Sequence, residues 1–269
     1  MMRVPRVVRT VIVAVGFLIA SVLVGASPAN AADPTITLRP GGALHARGAA
    51  IVVEATLTCP AGVDIGVSVR VTQRRADGSL VRGLGQRPLR CSGAAITRRV
   101  AASSADVRLT GLNSGAPFVA GAAFVTASFG ICDEVRCVSA VHSRTVQLAK
   151  VRMNAAQFSS ASLAVSLPAQ ATLQASGAGV LVRVPYRCAT GFTGSFELTL
   201  IERTSTAAVT SAADGVAATC SGLNRTGIAS FHADAAAWRP GSAFVVLTGS
   251  VCGSQGCLPA YAHRTVTLL

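Results

Sequence analysis

Aromatic side chains are scarce in this chain: one Trp, two Tyr and nine Phe among 269 residues. Proteins that hold single-stranded nucleic acid stack bases on aromatic rings, so this scarcity argues against nucleic acid as a partner. Lysine is nearly missing as well. Lys150 is the only one, so the excess of 24 basic over 11 acidic residues is carried by arginine. Such a bias beside abundant Ala, Val and Gly resembles the coding habit of a GC-rich genome, and charge alone does not identify a partner. The acids are scattered. Asp133-Glu134 is the only adjacent pair, and neighbours on a tight loop point apart, which excludes the paired carboxylates of a glycosidase. No Gly-x-Ser-x-Gly elbow is present. Gly83-Leu84-Gly85 lacks the third glycine and following helix of a dinucleotide site. Of His45, His142, His232 and His263, only His232 has a nearby carboxylate, Asp234, and two ligands do not make a metal site. The expectation is a non-enzyme with no catalytic, metal or cofactor residues; an envelope hydrolase whose triad is assembled only by the fold stays open.

What is present begins at the N-terminus. Arg3, Arg6 and Arg9 precede an uncharged, mostly apolar run, Thr10–Ala26, and Ala29-Asn30-Ala31 has the small-x-small form of a cleavage site. Residues 1–31 therefore read as a general-secretion signal peptide cleaved near Ala31. The alternative is a retained anchor, although a span needs about 20 apolar residues. No later stretch is long and apolar enough to cross a membrane, so no transmembrane anchor is expected after cleavage, and the product is expected outside the cell or at its envelope. All eight cysteines lie beyond residue 31, an even count that predicts four disulfides in an oxidising compartment.

Comparing the chain with itself is the most informative step. An offset of 129 carries Cys59 and Cys91 onto Cys188 and Cys220; an offset of 120 carries Cys132 and Cys137 onto Cys252 and Cys257. The nine-residue difference falls between Cys91 and Gly121. Leu44, Ala46, Gly48 and Ala49 also map at 129, onto Leu173, Ala175, Gly177 and Ala178. The stretch from Gly121 to Leu148 recurs from Gly241 to Leu268, each an apolar run, a Cys-x4-Cys and a second run containing Arg-Thr-Val. Within each copy the apolar period is two: Ile51, Val53, Ala55, Leu57 and Cys59 share one face, as do Val180, Val182, Val184, Tyr186 and Cys188. About seven short strands per copy, broken by Gly, Pro and Asn, predict an all-β chain. The expected architecture is two tandem immunoglobulin-like antiparallel β-sandwich domains, residues 33–149 and 159–269, with a linker at 150–158. The repeat favours the pairs Cys59–Cys91, Cys132–Cys137, Cys188–Cys220 and Cys252–Cys257. Phe118 and Trp238, each three residues before the glycine that opens a hairpin, read as plugs at a strand corner. Tyr186 reads as core, and Tyr261 is undecided.

Cys132/Cys137 and Cys252/Cys257, with their flanking strands, give the chain a resemblance to secreted actinobacterial immunoglobulin-like sandwiches, and among them to the neocarzinostatin-like apoproteins. The resemblance covers about a quarter of each repeat. It implies a sandwich that carries a small apolar ligand in a groove, and it transfers no ligand-contacting residue. The widely spaced pairs, the tandem organisation and the basic charge depart from that family.

Charge is uneven. Residues 32–152 hold 15 basic and 7 acidic side chains, residues 153–269 hold 6 and 4. The excess concentrates in Arg70, Arg74, Arg75, Arg82, Arg87, Arg90, Arg98, Arg99 and Arg108, against Asp77 and Asp106. Clustered arginines suit phosphate or carboxylate groups, which makes an anionic cell-envelope polymer or lipid headgroups the expected partner; the bland alternative is a solvated basic surface.

Overall fold

A computed structural model of the chain describes residues 33–104, 114–132, 137–150, 157–205, 208–233 and 236–269, which pack as one compact unit. Residues 1–31, expected to be a signal peptide, together with Arg108, Asp133-Glu134, Asp234 and most of the expected 150–158 linker, lie outside the described residues.

The period-two pattern becomes strand throughout. The first repeat contributes β1 (Thr35–His45), β2 (Ala50–Thr58), β3 (Asp64–Arg74), β4 (Leu80–Arg90), β5 (Ile96–Ser103), the two-residue β6 (Ser114–Gly115), β7 (Gly121–Cys132) and β8 (Cys137–Ala149). The second contributes β9 (Phe158–Ser159), β10 (Leu163–Val165), β11 (Gln170–Gln174), β12 (Gly179–Cys188), β13 (Thr193–Arg203), β14 (Val209–Thr219), β15 (Asn224–His232), β16 (Gly241–Gly253) and β17 (Gly256–Leu268). In the first repeat the order β1-β2-β5 faces β4-β3-β7-β8. Parallel pairing of β1 with β8, and a bridge between Leu84 and Ser103, close the path of pairing on itself. The second repeat has the same strand order, β11-β12-β15 and β14-β13-β16-β17 with β11 parallel to β17, but among the described residues no pairing joins β14 to β15, so its path stays open.

Each repeat fills its own interior. One apolar cluster draws only on residues between Ile36 and Leu148, the other only on residues between Leu163 and Leu268. Four disulfides staple them and no cysteine is free. Cys59–Cys91 and Cys188–Cys220 tie the end of a strand in one sheet to the end of a strand in the other. Cys132–Cys137 and Cys252–Cys257 close the two late hairpins.

Three repeated details show what the sequence preserves. After β1 the chain turns through Ala46, Arg47 and Gly48 at φ 43°, 57° and 93°; after β11 it turns through Ala175, Ser176 and Gly177 at φ 47°, 55° and 92°. A Cβ on Gly48 would lie 2.1 Å from the Phe118 carbonyl oxygen, and one on Gly177 the same distance from that of Trp238. Only glycine tolerates both the left-handed φ and the contact. Phe118 and Trp238 are buried corner plugs, whose amides donate to Gly48 and Gly177 at 2.9 Å. The arginine of each Arg-Thr-Val clamps an earlier segment of its own repeat: Arg144 Nη1 donates to the Leu38 carbonyl at 2.8 Å, and Arg264 Nη1 to that of Leu167 at 3.0 Å.

The repeats meet along a third apolar cluster. Ala46, Ala49, Ala50, Val52 and Ala101 of the first pack on Ile201, Val209 and Phe244 of the second. Val52 and Ile201 point away from their own interiors and are nevertheless buried, because the other repeat covers them. Within the longer stretch of the first repeat, β6 pairs with Val209 and Thr210 on the edge of β14.

Candidate functional site

Two arrangements concentrate chemistry, and they differ in access. The first is the outward face of the β4-β3-β7-β8 sheet. Alternation along β3 turns Arg70, Thr72 and Arg74 outward, while Val69, Val71 and Gln73 turn in. Arg82 of β4 stands opposite Thr72, Leu80 opposite Arg74 and Leu84 opposite Arg70. On the other side of β3, Phe124 of β7 stands opposite Thr72. Arg82 is thus a diagonal neighbour of both Arg70 and Arg74, at the ~7–8 Å such pairs keep. All three are exposed, and none forms a salt bridge among the described residues, where Glu54 takes Arg39 and Arg99. Phe124, Leu80 and Val141 stand exposed on the same face.

The other arginines singled out from sequence do not join this group. Arg75 begins the turn into β4, near Asp77, whose carboxyl is held below its ordinary range first by the Ser79 hydroxyl and then by the Ser79 amide. Arg90 donates to the Cys257 carbonyl at 3.3 Å. Arg98 donates to the Thr97 carbonyl, and Arg99 pairs with Glu54 on the opposite sheet. Arg87 is committed to the junction: its Nη1 donates to the Arg99 carbonyl at 2.6 Å and its guanidinium lies 4.3 Å over the Tyr261 ring. Of the eight of these arginines that are described, Arg70, Arg74 and Arg82 share one exposed face.

The second arrangement is the junction itself. His45, Tyr261, His263 and Phe244 are buried together, with His45 and His263 ring centres 6.2 Å apart. His45 Nδ1 meets the Thr265 hydroxyl at 3.1 Å, and the Ala101 amide donates to the Tyr261 hydroxyl at 2.8 Å. His45 Nε2 and both nitrogens of His263 have no protein hydrogen-bond partner. Burial, aided by Arg99, lowers His45 to about 4. Burial, followed by His45, Arg87 and Arg99, lowers His263 to about 3. Burial also brings Arg87 down to about 10 and pushes Tyr261 up to about 12. His263 has no exposed surface and His45 almost none, so both rings are enclosed between the repeats. Sequence reasoning missed it. The readable signal was departure between twins: Val141 becomes Tyr261, Ser143 becomes His263, and Gln174 stands where the first repeat has His45. His232 ends β15 and is exposed.

Beside the junction lies a groove of about 440 Å³, lined by Asp64, Gly66 and Pro88 of the first repeat and Gly249, Ser250 and Pro259 of the second. Among the described residues, no three His, Cys, Asp or Glu side chains converge as metal ligands, and no helix is long and apolar enough to cross a membrane.

No family model and no curated protein matches the chain. Among solved structures, a red sea bream transglutaminase aligns with 87% of the chain at 13% identity and a TM-score of 0.22, and the chain spans 31% of that protein's length.

Proposed function

We propose that this is an exported, non-enzymatic binding protein of the cell envelope, and that Arg70, Arg74 and Arg82 recognise a phosphate- or carboxylate-bearing envelope polymer. The observation that carries the reading is the triangle of exposed arginines on one sheet face, without an acidic partner among the described residues. Guanidinium forks pair with such anions in bidentate fashion, and three on a rigid sheet engage successive charges of a polymer at one spacing. Four disulfides and an N-terminus with the form of a signal peptide support work outside the cytoplasm.

Sedimentation of the protein with purified anionic wall polymer tests this, with anionic lipid vesicles as a parallel arm. Binding is expected to weaken steeply as salt rises, and to fall at least tenfold in the Arg70→Ala, Arg74→Ala, Arg82→Ala variant, while Arg183→Ala and Arg225→Ala on the second repeat change little. Unchanged binding by the triple variant would refute the site. Capture by vesicles and not by polymer would replace the polymer with lipid headgroups. A small apolar molecule in an organic extract of the native protein, with no binding in either arm, would move the reading to a ligand carrier using the junction groove.

A further inference from the structure

The junction between the repeats is a worked example of how one repeat docks on another. The second repeat offers the outward face of its β14-β13-β16-β17 sheet, chiefly Val209, Ile201, Phe244 and Tyr261. The first repeat covers that face with the turn Ala46–Gly48, the start of β2, the end of β5 and Arg87 of β4, which lies over Tyr261. The repeat offsets carry the four receiving positions onto Leu80, Thr72, Phe124 and Val141. Strand pairing confirms the equivalence: Ile201 opposes Phe244 as Thr72 opposes Phe124, Arg203 opposes Val209 as Arg74 opposes Leu80, and Thr248 opposes Tyr261 as Ser128 opposes Val141. Their exposure is opposite. Val209 and Phe244 are 0% and Tyr261 2% exposed, whereas Leu80 is 56%, Phe124 54% and Val141 62% exposed.

The covering face also exists twice, and its second copy is bare. The turn Ala175–Gly177 repeats the left-handed geometry of Ala46–Gly48. Ala49, buried at the junction, has the exposed Ala178 as its twin; Val52 has the half-buried Leu181; Arg99 has the exposed Ile228. One polar contact of the junction is encoded again. Arg203 Nη1 donates to the Arg47 carbonyl at 2.8 Å, and the twin of Arg203 is Arg74, while the twin of Arg47 is Ser176, where the change of side chain does not matter because the contact uses a backbone carbonyl. Of the six large apolar side chains exposed among the described residues, Leu80, Phe124, Val141 and Ile228 fall on these two unused faces. Scattered exposed apolar residues need no explanation; a set that reproduces a buried interface does.

We propose that the bare sheet face of the first repeat is docked by the turn-and-strand face of the second repeat of another copy of this chain. The two faces differ, so the contact is heterologous, and repetition of the internal junction between molecules gives head-to-tail chains, not closed pairs. Arg70 and Arg82 on one face and Arg183 on the other carry like charge, so association strengthens as salt screens them. This is opposite to polymer binding, and polymer and second copy exclude one another from the face.

Sedimentation velocity of the purified protein over a range of concentration, at low and raised salt, tests the proposal. The average mass is expected to climb past that of a dimer as concentration and salt rise. Phe124→Arg, which changes an exposed side chain, is expected to leave a monomer. So is Ala178→Arg, on the other face. A mixture of the two variants, each retaining one good face, is expected to form dimers and nothing larger. Arg70→Ala with Arg82→Ala is expected to lose polymer binding and keep or strengthen assembly, while Phe124→Arg keeps polymer binding, so the two readings fail separately. Monomer under every condition overturns self-docking. So does assembly that survives Phe124→Arg, or a dimer abolished by Phe124→Arg but indifferent to Ala178→Arg, which would mean like faces pairing.

Discussion

Glu202 and Gln73 are twins placed at the same corner, and the comparison isolates the cost of a charge. Gln73 is buried and uses both ends of its amide: Nε2 donates to the Val119 carbonyl at 2.8 Å, and Oε1 accepts from the Val119 amide at 2.9 Å. Glu202 is buried at the equivalent place beside Arg239. Its Oε2 accepts from the Arg239 amide at 3.2 Å, while Oε1 has no partner in the protein. A carboxylate cannot donate to the carbonyl that Gln73 engages, and burial raises the Glu202 pKa, opposed by the Arg239 amide. A raised carboxyl pKa means the folded state favours the neutral acid, so its contribution is most favourable below the ordinary carboxylate range and is lost as pH rises through the folded value. Glu202→Gln restores the twin's donor and removes the charge. It is expected to stabilise the protein by about 1 kcal/mol at neutral pH, the scale of one recovered hydrogen bond, and by less in acid. Urea melts at two pH values check this. A loss of stability, or a gain that does not depend on pH, would mean that Glu202 is satisfied in a way its geometry does not indicate. This pair was partly legible in advance, since the offset places Gln73 on Glu202 and alternation puts both on the inward side, but their partners at the corner were not, because Val119 and Arg239 lie 46 and 37 residues away.

Among the elements, the stapled hairpins and the sheet-crossing bridges make separable contributions. Cys59–Cys91 and Cys188–Cys220 each join residues 32 apart, Cys132–Cys137 and Cys252–Cys257 residues 5 apart. In the loop-entropy account the long loops restrict the unfolded chain by roughly 3.5–4 kcal/mol and the short ones by about 2. The Cys188→Ser, Cys220→Ser variant is therefore expected to lose nearly twice the stability lost by Cys252→Ser, Cys257→Ser, as read from denaturant midpoints. Equal losses would show that strain or local packing governs these bonds instead of loop length. The hairpins, their cysteines and the glycine turns were legible because each is a local pattern that occurs twice. The contacts made by Arg144 and Arg264 were not, although Arg-Thr-Val was visible as a motif: the carbonyls they hold lie about a hundred residues away in sequence. The arginine cluster was legible in composition, while the division of its described members among faces was not. Strand alternation and the turns of the chain send Arg70, Arg74 and Arg82 to one face, Arg99 to the other sheet and Arg87 into the junction.

At the scale of the molecule, the junction is where the two copies stop being equivalent, and no pattern within either copy announces it. Its acid response follows from His45 and His263. Burial lowers them to about 4 and about 3, from an ordinary value near 6.5. The groups that face them are Arg87 and Arg99, which disfavour protonation, and Tyr261, which titrates far above this range. Between the ordinary and the folded values the unfolded chain binds protons that the folded chain refuses. Stability is then fully present above about pH 6.5 and falls as pH drops toward the folded values, at about 1.4 kcal/mol per pH unit for each histidine. From pH 6.5 to pH 5 the pair accounts for a loss of roughly 3 kcal/mol, because the unfolded histidines are already half protonated at the start of that range. Glu202 titrates in the opposite sense and offsets part of the loss at the acid end. Replacing each histidine by its twin, His45→Gln and His263→Ser, removes the protons at issue while keeping residues that this fold already accommodates at the same positions. The double variant starts lower at neutral pH because it leaves space around Phe244, so the slope and not the level is diagnostic. Its stability is expected to be nearly flat between pH 6.5 and 5 in urea melts, where the native sequence declines. If the slope persists in the double variant, the acid sensitivity belongs to other groups and the junction histidines are not held neutral by burial.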